Sequence, residues 1–194
     1  MQERKIKTRN KIFASALKLF IEKGIDATST KEITEGASVA EGTLYRHFAS
    51  KDELAWALFQ HHYGNIASEL LKARRKSTDL RETVESTVYA FCKLVDHAPD
   101  AFRYCMLSQH DFFDRVAQNE GNPVLVIRGI IVDAIEAKQI PAGDPDVIAA
   151  MSLGVVMQPA TFHLYGRLAD PLINYADEFI EVIWLILNAR EKKQ

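Results

Sequence analysis

Residues 41–54 read EGTLYRHFASKDEL. Leu44 and Phe48 stand one helical turn apart, while Tyr45, Arg46 and His47 fall on the other sides of the same turn. Residues 40 to 48 therefore predict a short helix. Ser50 stands three residues before Glu53, a capping box in which each side chain satisfies the other's free backbone N–H, so a second, longer helix starts directly behind and runs to about Arg75. A helix this short, with its polar residues outward, is built to touch something. Its free N–H groups carry partial positive charge, which suits a phosphate, and Gly42 and Thr43 are small enough to approach base edges closely.

Upstream, Ile6, Phe13, Ala16, Leu17 and Phe20 share one face of a first helix that Gly24 ends. Ser29 with Glu32 forms another capping box, and Gly36 and Ser38 limit the helix behind it to about two turns. Ile33, Ala37, Val39, Leu44 and Phe48 have the spacing to fill a small core on a floor of Phe13, Leu17 and Phe20. Two short helices joined by a tight turn and braced by a longer one make a helix-turn-helix. Charge agrees with that reading. Residues 1–51 hold ten Lys/Arg against six Asp/Glu, net +4, within a chain of formal charge −2, leaving −6 for the rest. A basic head on an acidic body points to a polyanion partner at the N-terminal end alone.

The run KIFASALKLFIEKGIDATSTKEITEGASVAEGTLYRHFASKDEL resembles the DNA-binding domain of the TetR family of bacterial transcriptional regulators over residues 9 to 54. Its most specific part, GTLYRHFASKDEL, is similar to the family's Gly-Thr-hydrophobic-Tyr-x-x-Phe-x-x-Lys-x-x-Leu signature. The resemblance implies base-edge readout by Glu41, Gly42 and Thr43. It implies phosphate contacts from Thr30, Tyr45, Arg46, His47 and Lys51. Three positions depart from the pattern: Ala40 replaces a capping serine, and Thr34 and Ser38 replace the usual alanine and glycine of the turn. Glu41, an acidic residue facing a polyanion, can accept from a cytosine amino group or cap the helix and point away.

The 194-residue chain is nearly half apolar, enough to bury a sizeable core. Helical spacing continues to the C-terminus. Asp79 with Glu82 opens one helix, Pro99 another, and Asn122-Pro123, Asp144-Pro145 and Asp170-Pro171 each set a capping residue before a proline at the first helical position. The expected fold is all-α, about nine helices, with a helix-turn-helix domain at residues 1–52 and a helical ligand-binding and dimerisation domain at 53–194, rigidly coupled through the long fourth helix.

In that second domain the last helix is apolar on most of its circumference, so one small core cannot cover it. Phe179, Ile183 and Leu187, with the slim stripe Ala150, Gly154 and Gln158 on the helix before, are the expected dimer interface, a four-helix arrangement with two-fold symmetry that the family resemblance also implies. Half-sites about 34 to 36 Å apart on a palindromic operator follow from that symmetry. Phe102, Met106, His110, Phe113, Met151, Phe162 and His163 supply aromatic, thioether and imidazole groups suited to an apolar or aromatic ligand, and equally to plain core. Pro159 is expected to kink the helix that carries the last three.

Two cysteines, Cys92 and Cys105, lack any metal-ligand or CxxC spacing, and adjacent His61 and His62 leave a helix about 100° apart, so no metal or other cofactor is expected. No nucleophile elbow or phosphate-cradling glycine loop points to an enzyme. No run of 18 apolar residues is free of polar interruption, which predicts a soluble, cytoplasmic protein with no membrane partner. The function expected is a homodimeric repressor, released from double-stranded DNA by an unidentified small-molecule effector. The alternative is an effector-independent architectural or division-linked DNA-binding protein.

Overall fold

The computed structural model describes residues 2–108, 111–116 and 121–189. The fold is all-α, with ten α-helices and one 3₁₀ turn and no strand among the described residues. These are α1 (Gln2–Lys23), α2 (Thr30–Ala37), α3 (Glu41–His47), α4 (Lys51–Arg74), α5 (Leu80–His97), α6 (Pro99–Ser108), α7 (Phe113–Val116), α8 (Pro123–Glu136), α9 (Pro145–Leu164) and α10 (Ala176–Leu187), with the 3₁₀ turn at Leu172–Tyr175. The extra helix relative to the expected nine is the single turn α7. The chain forms two compact units, Met1–His62 with Asp100–Val116, and Tyr63–Pro99 with Ala117–Gln194.

In the first unit, Ile12, Phe13, Ala16 and Phe20 of α1 are buried, as are Ile33 and Ala37 of α2, Leu44 of α3, and Phe48. Val39 and Leu17 are only half-buried. Ser29 caps α2 reciprocally with Glu32, as the sequence predicts. Gly36 does not end α2 but sits inside it, where a Cβ would clash with the Ser15 hydroxyl of α1. That hydroxyl donates to the Ile33 carbonyl at 2.9 Å. The glycine therefore permits the close α1–α2 crossing. Ser38 ends α2 instead, in the left-handed region at φ 54°, where helices commonly place glycine. Tyr104 of α6 is 2% exposed and donates its O–H to the Ala55 carbonyl at 2.9 Å.

In the second unit, α5, α8, α9 and α10 pack around a core of Val88, Phe91, Ile131, Val156 and Ile180. Asn122 and Asp144 cap α8 and α9 with proline next in line, as expected. Asp170 does not cap the last helix. The Asp96 carboxylate, from α5, accepts from Leu172 N–H at 2.7 Å and Ile173 N–H at 3.0 Å. A cap from a distant helix sets a 3₁₀ turn there and delays α10 to Ala176. α9 is long and apolar enough to cross a membrane by length and composition, with mean hydropathy 1.5. Continuous-run counting misses this because scattered serine, glutamine and threonine interrupt a sequence with few charges.

Candidate nucleic-acid interface and ligand cavity

α3 presents the residues that the sequence places outward. Glu41, Gly42, Arg46 and Tyr45 are exposed, the last at 50%, and Thr43 and His47 are half-buried. Ala40 supplies no side-chain cap, so the first turn of α3 keeps backbone donors that a serine would occupy. Arg46 Nε donates to the Gly42 carbonyl at 3.2 Å, which lays the guanidinium along its own helix. Burial, with Lys5, Arg9 and Arg46 nearby, holds the His47 imidazole below its ordinary range. A phosphate at this point would push it back up.

Two of the expected contact residues are engaged inside the protein. Thr30 donates its hydroxyl to Glu41 Oε1 at 3.0 Å, which ties the start of α2 to the start of α3 and settles where Glu41 points in this state. Lys51 Nζ donates to the carbonyls of Ile25 at 2.7 Å, Asp26 at 3.0 Å and Thr28 at 3.0 Å. Each of its three N–H groups thus has an acceptor in the α1–α2 loop. Lys51 holds that loop against the start of α4.

Sequence reading overlooked the N-terminal turns of α1. Arg4, Lys5, Lys7 and Lys11 line a groove together with Thr43, Arg46 and His47 of α3. The signal was present in ERKIKTRNK, where Arg4, Lys7 and Lys11 recur at helical period. The groove joins four α1 cations to the α3 probe, which is the charge and shape a phosphate backbone requires.

In the second unit, a cavity of ≈ 70 Å³ is lined from five helices, by Leu70 of α4, Phe91 of α5, Ile131 of α8, Val156 of α9 and Ile183 of α10 among others. None of the expected pocket positions among the described residues lines it. Phe102 is buried and Met106 half-buried in the first unit, and Phe113 also belongs there. His110 lies outside the described residues. Met151 and Phe162 face outward at 46% and 38% exposure, Arg167 lying 5.4 Å from the Phe162 ring centre. His163 Nδ1 lies 3.2 Å from the Leu168 carbonyl and its Nε2 3.7 Å from Asp96. Aromatic and methionine content marked these positions without revealing which side of a helix each occupies.

The expected interface residues divide as well. Ala150, Gly154 and Gln158 are exposed on α9, and nothing lies within 4 Å of a Cβ built at Gly154. Phe179, Ile183 and Leu187 are buried within their own chain, the last two against the cavity. The uncovered side of α10 carries Val182 and Leu185 instead, at 45% and 71% exposure. With Val147, Met151 and Phe162 of α9 they leave large apolar side chains exposed on both helices.

Residues 12–58 match the family described as "Bacterial regulatory proteins, tetR family". The match covers the helix-turn-helix region and the first turns of α4. The chain is 33% identical over 104 residues to the HTH-type transcriptional activator FasR of Mycolicibacterium smegmatis, a match covering 54% of this chain and 47% of that protein. It spans less than half the length of that relative. Among solved structures, a TetR family transcription regulator from Marinobacter aquaeolei superposes with TM-score 0.80 at 18% identity, over 98% of this chain and 100% of that one. The transcriptional regulator FadR from Bacillus subtilis, in complex with stearoyl-CoA, gives TM-score 0.72 at 17% identity, over 91% and 96%. At such identities the two structures show the shared fold.

Proposed function

We propose that the protein is a sequence-specific DNA-binding transcriptional repressor, acting as a homodimer on a palindromic operator and released by a small apolar ligand. The observation that carries the DNA reading is the groove shared by Arg4, Lys5, Lys7 and Lys11 of α1 with Thr43, Arg46 and His47 of α3. In this reading Glu41, Gly42 and Thr43 meet base edges, and Tyr45, Arg46, His47 and the α1 cations meet phosphates. Thr30 and Lys51 reach phosphate only by giving up the internal bonds described above. Residues 1–52 carry the DNA task and 53–194 the ligand and dimer tasks.

The uncovered apolar sides of α9 and α10 support a two-fold helical interface in which Ala150, Gly154 and Gln158 let the helices approach and Val182 and Leu185 fill the seam. The aliphatic cavity supports an apolar effector, in keeping with the stearoyl-CoA bound to the B. subtilis neighbour. α4 begins with Lys51 and carries Leu70 of the cavity wall, so a ligand that favours one setting of this helix shifts the recognition helices of the dimer.

Selection of bound sequences from a random DNA pool, with the protein's mass determined in solution, tests the reading. A palindrome enriched by a dimer is the expected result. Binding that tracks salt with no enriched sequence would favour an effector-independent architectural protein. FasR is named an activator, so a reporter behind the selected operator reads the sign: expression should fall when this protein is supplied.

A further inference from the structure

We propose, resting on the reading of the α1–α3 groove as the DNA-binding surface, that Glu41 reads a cytosine in the major groove and that Thr30 is the positioning residue that holds its carboxylate ready to do so.

Thr30 is the first residue of α2 and Glu41 the first of α3, and the bond between them, Thr30 hydroxyl to Glu41 Oε1 at 3.0 Å, joins the starts of the two helices. α2 does not need that hydroxyl for its own start. Ser29 Oγ accepts from Glu32 N–H at 3.2 Å and the Glu32 carboxylate accepts from Ser29 N–H at 2.9 Å, so the capping box closes without Thr30. A hydroxyl has one proton to give. While Thr30 gives it to Glu41 it has none for a phosphate oxygen, so the phosphate contact that the resemblance implies and the bond seen in the structure exclude each other.

Glu41 is exposed, and among the described residues its carboxylate has no partner besides Thr30. It does not fold back to cap its own helix, and Oε2 is left to accept from outside. Any contact made by a glutamate must give up the freedom of its side-chain torsions; a threonine, stiff at χ1, restricts them before DNA arrives. In a helix-turn-helix the first residues of the second helix are the ones that reach base edges. Those edges offer a carboxylate two amino groups, cytosine N4 and adenine N6. Adenine N6 lies between two acceptors, its own N7 and the O4 of the paired thymine, whereas cytosine N4 has an acceptor, guanine O6, on one side only. A carboxylate held in place therefore selects cytosine.

The test selects sequences from a random DNA pool with the full chain and its variants, then measures affinity for single-base changes in the selected operator. Wild type should enrich a cytosine at one position of each half-site. Glu41→Gln should switch that position alone to adenine, because an amide pairs with both N6 and N7, and Glu41→Ala should lose the preference there. Thr30→Val keeps the shape and removes the hydroxyl, so affinity for the cytosine operator should fall by about ten-fold, with operators altered at that position little changed. Thr30→Ala should do the same, and serves if the valine variant fails to fold; Thr30→Ser, which keeps the hydroxyl, should keep the preference. A phosphate contact from Thr30 would instead weaken every sequence equally and leave the base profile as it was. That result, or a profile that Glu41→Gln and Glu41→Ala leave unchanged at every position, would overturn the proposal, while an enriched palindrome keeps the DNA reading standing. No enriched sequence from the wild type would remove the DNA reading and the cytosine assignment with it.

Discussion

The α1–α3 side of the first unit and the α9–α10 side of the second are both exposed, yet opposite chemistry keeps them so. On the first, Arg4, Lys5, Lys7, Lys11 and Arg46 collect charge around a short, uncapped helix. On the second, Val147, Met151, Val182 and Leu185 leave apolar surface uncovered. A charged face is stable in water and waits for a polyanion, whereas an apolar face of this kind gains free energy by being covered. The first face thus suits an occasional polyanion partner and the second, as we propose, a standing one.

The largest effect expected is at that second face. Leu185→Asp puts a charge where we propose the two copies meet, and should convert dimer to monomer with helix content unchanged. Affinity for a two-half-site operator should then fall by about 10²–10⁴ as the second half-site loses its effective concentration. Analytical ultracentrifugation and a binding titration read both; an unchanged dimer would mean that α10 faces something else, such as a membrane surface.

Gly36→Val breaks the other region from within. The branched side chain has no room beside Ser15, and overpacking of this kind costs about 1–3 kcal/mol. Thermal melts should show a loss on that scale, with DNA binding reduced and the dimer intact. Lys51→Met comes next and sharpens the division of labour on the DNA side. If Lys51 acts as the clasp its three carbonyl partners imply, stability should fall by about 1–3 kcal/mol. The slope of log K against log salt should stay as it was. Arg46→Ala should do the reverse, leaving the melt unchanged and flattening the slope by about 0.9. A flattened slope for Lys51→Met would return that residue to the phosphates.

The smallest effect is a pH dependence. Hydrogen bonds from Lys23 and from Ser29 hold the Glu32 carboxyl down to about 2 from 4.5. A depressed folded-state value means the clasp between α1 and α2 is complete above the unfolded value and is lost as pH falls from about 4.5 through about 2. A Glu32→Gln variant should therefore flatten the acid limb of the stability curve slightly, because this carboxyl is exposed and screened by solvent.

What the sequence made legible was local. The Ser29–Glu32 capping box, the inward Leu44 and Phe48, and the outward Tyr45, Arg46 and His47 are set by neighbours within one or two turns, and helical spacing alone recovers them. Lys51 was legible as a cation but not as a clasp, because its acceptors lie more than twenty residues away. The same holds for Asp96, which caps a turn 76 residues further on. α10 is apolar on nearly every side, so its periodicity could not say that Phe179 and Ile183 turn inward and Val182 and Leu185 outward. The cavity is lined from five helices at once. No single window of sequence contains that arrangement.

The central claim is that the α1–α3 groove is the DNA-binding surface. Amide hydrogen exchange on the full chain, with and without the selected operator, tests it directly. The account predicts slowed exchange across residues 4–11 and 41–47 on DNA binding, with α9 and α10 unchanged in a protein that is already a dimer. Protection confined to α9 and α10, or to any surface that leaves Arg4, Lys7 and Arg46 exchanging as before, would contradict it.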